Sequence, residues 1–231
     1  MAINIYYLKA RLFPTVLTSI PSIILYNKFV STLYHDKLEK IFSLLPSLTD
    51  IILSSAIVFL LVQINRFLSK EIFQRHYFKD EINMPTTNIL LKSNNELEVS
   101  IKQKIEEKIK TKFGIDLLSS TEESSNELRA RKLITTVVSQ IRNVLRDNSL
   151  LLQHNIEYGF FRNLIGGSFL ALAISIIMLV LSFCTHDLTT RNLGWILIIV
   201  YFIPLLFSKL IINKYGKYYA KILFEQFLTI T

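Results

Sequence analysis

A single cysteine, Cys184, stands in a chain of 231 residues, which excludes an intrachain disulfide. The short motifs that carry catalysis are also missing. There is no GxxxxGK followed by Ser or Thr, no HExxH, no CxxC and no GxSxG. Gly166-Gly167 lies in an apolar run rather than in a phosphate loop. The four histidines, His35, His76, His154 and His186, are scattered without ligand spacing. A metal shared by His76 and His154 would require two distant segments to meet, and hydrogen-bonded surface imidazoles are the favoured account. No enzyme, metal or cofactor is expected.

Hydrophobicity is abundant and unevenly placed. Apolar residues make up 51% of the chain and the mean hydropathy is +0.38, although 19% of residues are charged. They gather in four runs, Leu12–Tyr26 and Phe42–Ile64 before a polar middle, and Ile165–Cys184 and Leu193–Ile212 after it. A hydrocarbon core of roughly 30 Å needs about 20 apolar helical residues. The expected fold is an α-helical polytopic membrane protein with four transmembrane helices and a small cytoplasmic α/β insertion carried on helical stalks. Its parts are 1–64 (transmembrane helices 1 and 2), 65–163 (cytoplasmic domain with stalks) and 164–231 (transmembrane helices 3 and 4 and a tail). The first run follows Lys9 and Arg11 but lacks a small-residue cleavage pattern, so a retained anchor is expected. Pro14 and Pro21 predict a kinked or partly interfacial helix there.

Charge orients the runs. Residues 65–163 carry 16 Lys or Arg against 13 Asp or Glu, while the whole chain has a net charge of +8. Basic residues crowd the segments after run two (Arg66, Lys70, Arg75, Lys79), before run three (Arg162) and after run four (Lys209, Lys214, Lys217, Lys221). The loop between runs three and four holds Arg191 with Asp187. The positive-inside rule places both termini and the middle domain on the cytoplasmic side of the membrane. Lys28, Lys37 and Lys40 oppose that orientation, partly offset by Asp36 and Glu39.

In the middle, a helical pattern continues past Ile64 to Tyr77 and would form a stalk. Met84-Pro85 is expected to end it, Thr86–Leu91 to form a strand, and Ser100 with Gln103 to cap a helix through Phe113, stopped by Gly114. From about Asn126 to Arg146 the chain is strongly amphipathic. Ile134, Val137, Val138, Ile141, Val144 and Leu145 share one face. The opposite face is basic and free of carboxylates until Asp147: Arg129, Arg131, Lys132, Arg142 and Arg146, with Thr135 and Ser139 among them. Such a face suits phosphate recognition, and Tyr158 offers a stacking surface nearby. A solvated or acid-paired face explains the same charges. Leu150–Asn163 is expected to be a helix feeding the third run.

Asp50 is the remaining informative residue. It shares a helical face with Ser54, Val58, Leu61 and Asn65, which makes these the candidate pore lining, and an interhelical hydrogen bond is the structural alternative. One copy of four spans encloses little lumen, so a pore requires an oligomer.

Three stretches, Tyr77–Leu91, Ala130–Lys132 and His154–Ser168, resemble signatures of a family of bacterial four-span proteins, the membrane effectors of Hailong antiphage defence systems. The resemblance implies an oligomeric ion channel, a homotetramer, held closed by short single-stranded DNA oligomers that a partner nucleotidyltransferase makes. Release of the oligomer would depolarise the inner membrane. Two other readings remain open: a non-channel membrane scaffold or sensor that binds a protein partner, and an effector gated by a cyclic nucleotide.

Overall fold

The computed structural model describes residues 4–30, 50–79 and 81–230, with the side chains of residue 30 and of residues 50–54 excepted. Among the described residues the chain is all-helical and has no strand. Three helices are long and apolar enough to cross a membrane: α1 (Ile5–Phe29), α8 (Ser149–Cys184) and α9 (Leu188–Leu206). The first part of the expected second span, residues 42–49, lies outside the described residues; the remainder of that run opens helix α2 (Asp50–Leu68). The polar middle contains α3 (Arg75–Phe78), α4 (Pro85–Leu90), α5 (Val99–Phe113), α6 (Ser120–Ser125) and α7 (Glu127–Val144), and the chain closes on α10 (Ser208–Thr229). It divides into two compact units, residues 1–73 with 160–208, and residues 74–159 with 209–231.

The first unit is built from α1, α2, most of α8 and α9. Asn4 opens α1, its Oδ1 accepting from the backbone N–H groups of Tyr6 and Tyr7. The two prolines do not break the helix; wide π turns at Leu8–Leu12 and Tyr26–Val30 flank its central segment. Each proline lacks the N–H that would bond the carbonyl four residues back. For Pro14 that carbonyl is Ala10, which accepts instead from Asn163 Nδ2 at 2.6 Å. For Pro21 it is Leu17, which accepts from the Tyr201 hydroxyl at 2.6 Å. Unpaired backbone carbonyls are costly in hydrocarbon, and two side chains from other helices supply the missing donors.

A polar layer ties α1, α2 and α8 together. Asn65 donates to Thr15 Oγ1 at 3.2 Å and to Thr18 Oγ1 at 2.9 Å, and Ser69 donates to Asn163 Oδ1 at 3.0 Å. All five side chains are buried. Gly166 and Gly167 permit this closeness: a Cβ on Gly167 would lie 2.4 Å from Thr18 Oγ1 and 2.6 Å from Asn65 Nδ2. The apolar core beyond consists of Phe29, Ala171, Met178, Leu197 and Tyr201. Asp187 caps α9 through Thr190 and lies 3.9 Å from Lys28, so the end of α1 and the α8–α9 turn share one end of this unit. The fourth apolar run is not one helix. Pro204 weakens it, α9 ends at Leu206, and Phe207 (φ −95, ψ 10) separates it from α10.

The second unit has its own core. Ile89, Leu90, Ile105, Ile109, Ile134, Val137, Ile141, Leu223, Phe224 and Phe227 are all buried in one cluster drawn from α4, α5, α7 and α10. The C-terminal helix, expected as a tail, is thus a core element, with Phe227 stacked on Phe113 at 5.8 Å. The expected strand at Thr86–Leu91 is the helix α4. Pro85 presets φ for a first helical turn, and Thr87 Oγ1 and Asn88 Nδ2 donate to the carbonyls of Glu81 and Asn83 instead of leaving the backbone free for a ladder. With no strand among the described residues, the insertion is helical rather than α/β.

The helical path from α2 continues through a π turn (Ser69–Gln74) into α3, as the stalk pattern predicts, but it stops at Lys79 (φ 45), ahead of Met84-Pro85. The expected Ser100–Gln103 cap is absent; Glu98 precedes α5 without a side-chain bond, while Gly114 (φ 67) ends it as anticipated. A capping box forms at α6 between Ser119 and Glu122. α8 runs unbroken from Ser149, so the expected helix 150–163 and the third span are one element.

Candidate nucleic-acid interface

α7 starts at Asn126, whose side chain accepts from the Arg129 N–H at 3.0 Å. Its buried stripe, Ala130, Ile134, Val137, Val138 and Ile141, follows the 3-4 spacing predicted for it. Val144, expected on that stripe, is exposed. The packing of this stripe fixes which cations face outward.

The five basic residues separate into two groups. Arg131 is half-buried and engaged: its Nε donates to Glu127 Oε1 at 2.7 Å, and Nη1 donates to Asn88 Oδ1 at 2.5 Å and to the Ile82 carbonyl at 3.2 Å. Arg142 lies 3.4 Å from Glu81 Oε2 and 3.5 Å from Thr86 Oγ1, with Tyr219 beneath its guanidinium at 5.7 Å. These two arginines hold the segment between α3 and α4, where Lys79 and Glu81 both adopt left-handed φ angles. Glu81 is a carboxylate far from α7 in sequence, so the pairing is invisible to helical spacing.

Arg129, Lys132 and Arg146 are exposed. On α7, Arg129 and Lys132 form one stripe with Thr136, Ser139 and Asn143, also exposed, at alternating steps of three and four residues; Arg146 lies in the turn beyond the helix. The stripe runs about 21 Å at the helical rise, carries two positive charges and holds no carboxylate. Hydroxyl and amide groups continue it toward the C-terminal end of the helix. Sequence inspection missed Thr136 and Asn143, although their spacing from Lys132 and Ser139 marks them. Tyr158 is buried at 6% exposure, near Pro85 and Gly216, and packs inside the unit.

Two charged groups brace the segment that follows α4. Glu123 is buried and accepts from the N–H groups of Lys92 at 2.8 Å and Ser93 at 3.0 Å. Lys102 is buried and donates to the Leu91 carbonyl at 2.6 Å and also to the Asn94 carbonyl. Burial lowers the Lys102 pKa, partly countered by the charges of Glu123 and Glu106. At the entry to α6, hydrogen bonds from Ser119 hold Glu122 below the usual carboxylate range, and the charge of Arg129 adds to this.

The candidate pore-lining residues lie on α2. Val58 is exposed, Leu61 is half-buried, and Asn65 is committed to Thr15 and Thr18. The side chains of Asp50 and Ser54 lie outside the described residues. Among the described residues, no group of three His, Cys, Asp or Glu side chains could hold a metal ion. Comparison with protein-family models, curated proteins and solved structures finds no match to this chain.

Proposed function

We infer that the chain is a ligand-gated membrane pore that acts as a defence effector. It assembles as a homotetramer in the bacterial inner membrane, is held closed by short single-stranded DNA oligomers bound to the second unit, and depolarises the cell when they leave. The reading rests on one observation above all: a carboxylate-free stripe of Arg129, Lys132, Thr136, Ser139 and Asn143, exposed on α7 and followed by the exposed Arg146 in the next turn, in a chain that also carries three helices long and apolar enough to span a membrane. Cations with interleaved hydroxyls suit a phosphodiester backbone, whose binding is mainly electrostatic. The resemblance of Tyr77–Leu91 and His154–Ser168 to Hailong effectors points the same way and supplies the nucleotidyltransferase as partner.

Arg131 and Arg142 have a different part in this reading. They fix the segment between α3 and α4, which comes soon after α2 in the chain, so they are positioning residues for the unit and not phosphate contacts. The lining of the proposed pore comes from the Asp50, Ser54, Val58 and Leu61 side of α2, where a ring of Asp50 carboxylates would favour cations. A ligand biases a gate only by binding one state more tightly than the other. DNA that bridges the α7 stripes of neighbouring subunits would do so if the stripes converge only in the closed tetramer.

The first experiment is binding of a fluorescent short DNA oligomer across a range of salt. Substitution of Arg129 and Lys132 by Glu should weaken binding and flatten the salt slope, and unchanged binding would remove the stripe from the site. One observation favours a second reading, a scaffold that docks a protein. Leu128 and Val144 are apolar and exposed at 54% and 42% on the same helix, and a protein partner would cover them. Salt-insensitive binding to nucleotide would favour that alternative.

A further inference from the structure

The polar layer of the first unit coincides with a boundary in the sequence. On α1 the apolar run begins at Leu12, on α2 it ends at Ile64, and on α8 it begins at Ile165. Beside each boundary stands an arginine: Arg11, Arg66 and Arg162. The hydrogen bonds bring their backbones to one level. Asn163, next to Arg162, donates to the carbonyl of Ala10, next to Arg11, and accepts from Ser69, whose hydroxyl also donates to the Arg66 carbonyl at 2.9 Å. Three arginines from three helices therefore stem from one layer, beside the ends of the apolar runs.

Arg11 carries the second observation. Its Nε is buried and has no hydrogen-bond partner, while its guanidinium carbon lies 5.2 Å from the centre of the Tyr6 ring. A buried, unpaired guanidinium N–H costs on the order of 1–3 kcal/mol unless an acceptor reaches it. Arg66 is half-buried, and Arg162, at 9% exposure, adds charge from α8. Arginine at a bilayer interface meets one abundant acceptor of matching geometry, the phosphodiester of a lipid headgroup. The flanking tyrosines Tyr6 and Tyr7 suit the same level, where aromatic side chains gather.

We propose that Arg11, Arg66 and Arg162 form a headgroup site for an anionic phospholipid between α1, α2 and α8. The lipid phosphate accepts from the terminal nitrogens of the Arg11 and Arg66 guanidinium groups, and its acyl chains lie along the apolar residues of α1 and α2. The site lies in the first unit and does not depend on nucleic-acid binding at α7.

The test is native mass spectrometry of the full chain released from detergent, with phosphatidylglycerol, phosphatidylethanolamine or inorganic phosphate added separately. Wild type should retain phosphatidylglycerol over the zwitterionic lipid, and R11Q/R66Q should lower that preference by roughly tenfold. R11K/R66K, which keeps the charge, should recover part of it. Equal retention of the two lipids by wild type overturns the proposal without need of any variant, as does R11Q/R66Q retaining phosphatidylglycerol like wild type. If inorganic phosphate displaces phosphatidylglycerol at comparable concentration, the site takes a free anion and the lipid assignment fails.

Discussion

The Tyr201 hydroxyl donates to the Leu17 carbonyl at 2.6 Å, filling the bond that Pro21 cannot make. Sequence and packing are coupled through this one contact. In helix α1 the proline frees a carbonyl within an apolar span, and a phenol on α9 satisfies it. The pairing of Pro14, Ala10 and Asn163 repeats the device with a donor from α8.

This coupling predicts a non-additive pair. Tyr201→Phe leaves a buried carbonyl unpaired and should destabilise the fold by about 1–3 kcal/mol. In a Pro21→Ala background residue 21 regains its N–H and can bond Leu17 itself, so the same change should cost at least about 1 kcal/mol less. A double-mutant cycle from thermal or denaturant unfolding in detergent measures the difference. Additive costs would show that the hydroxyl does not serve the proline-freed carbonyl.

Gly167 and Gly114 should fail for opposite reasons. Gly167→Ala places a Cβ 2.4 Å from Thr18 Oγ1 and should cost about 1–3 kcal/mol through overpacking of the polar layer. Thr18→Ser in that background would leave the hydroxyl in place and recover little. Gly114→Ala meets no atom within 4 Å and is penalised by its φ of +67 alone, about 1 kcal/mol. Unfolding curves of the two variants separate crowding from backbone strain.

Lys102 supplies a pH-dependent term. Its folded pKa is lowered by burial, so the unfolded chain holds this proton at pH values where the folded chain has released it. Stability should therefore rise with pH from that lowered value up to the ordinary lysine pKa, and this slope should vanish in Lys102→Met. The variant should also lose about 1–3 kcal/mol at neutral pH, because the carbonyls of Leu91 and Asn94 lose their donor. Unfolding followed by circular dichroism across alkaline pH reads both effects.

Much of this architecture was legible in the chain. The apolar runs located α1, α8 and α9, and the 3-4 spacing of Ile134, Val137, Val138 and Ile141 located α7 with its buried face. Other features depended on contacts that periodicity does not carry. Thr86, Thr87 and Ile89 have strand propensity, yet Pro85 and local side-chain bonds to Glu81 and Asn83 set a helical turn. Ala220, Leu223, Phe224 and Phe227 are spaced for a core helix, but the lysines around them resemble a membrane flank. In the candidate site, Arg131 and Arg142 looked equivalent to Arg129 and Lys132 until Glu81 and Asn88 were placed beside them. A signal for Asn163 was present: Pro14 frees the carbonyl of Ala10, and a membrane helix must satisfy it.

The division of the basic face makes its own prediction. R129E/K132E should reduce affinity for short DNA roughly tenfold or more and leave thermal stability within about 0.5 kcal/mol, as expected for exposed positions. Arg142→Gln should do the reverse, lowering stability by releasing Glu81 while changing the salt slope little. Fluorescence anisotropy at several salt concentrations, set beside unfolding curves, tests both. Equal losses of affinity in the two variants would restore Arg142 to the ligand surface.

The central claim is tested most directly by ion flux from liposomes containing the purified full-length chain. The proposed function predicts flux without ligand, suppression by short single-stranded DNA, and relief of that suppression in R129E/K132E. Liposomes that remain sealed with and without DNA, or flux that DNA leaves unchanged in the wild type, would contradict it.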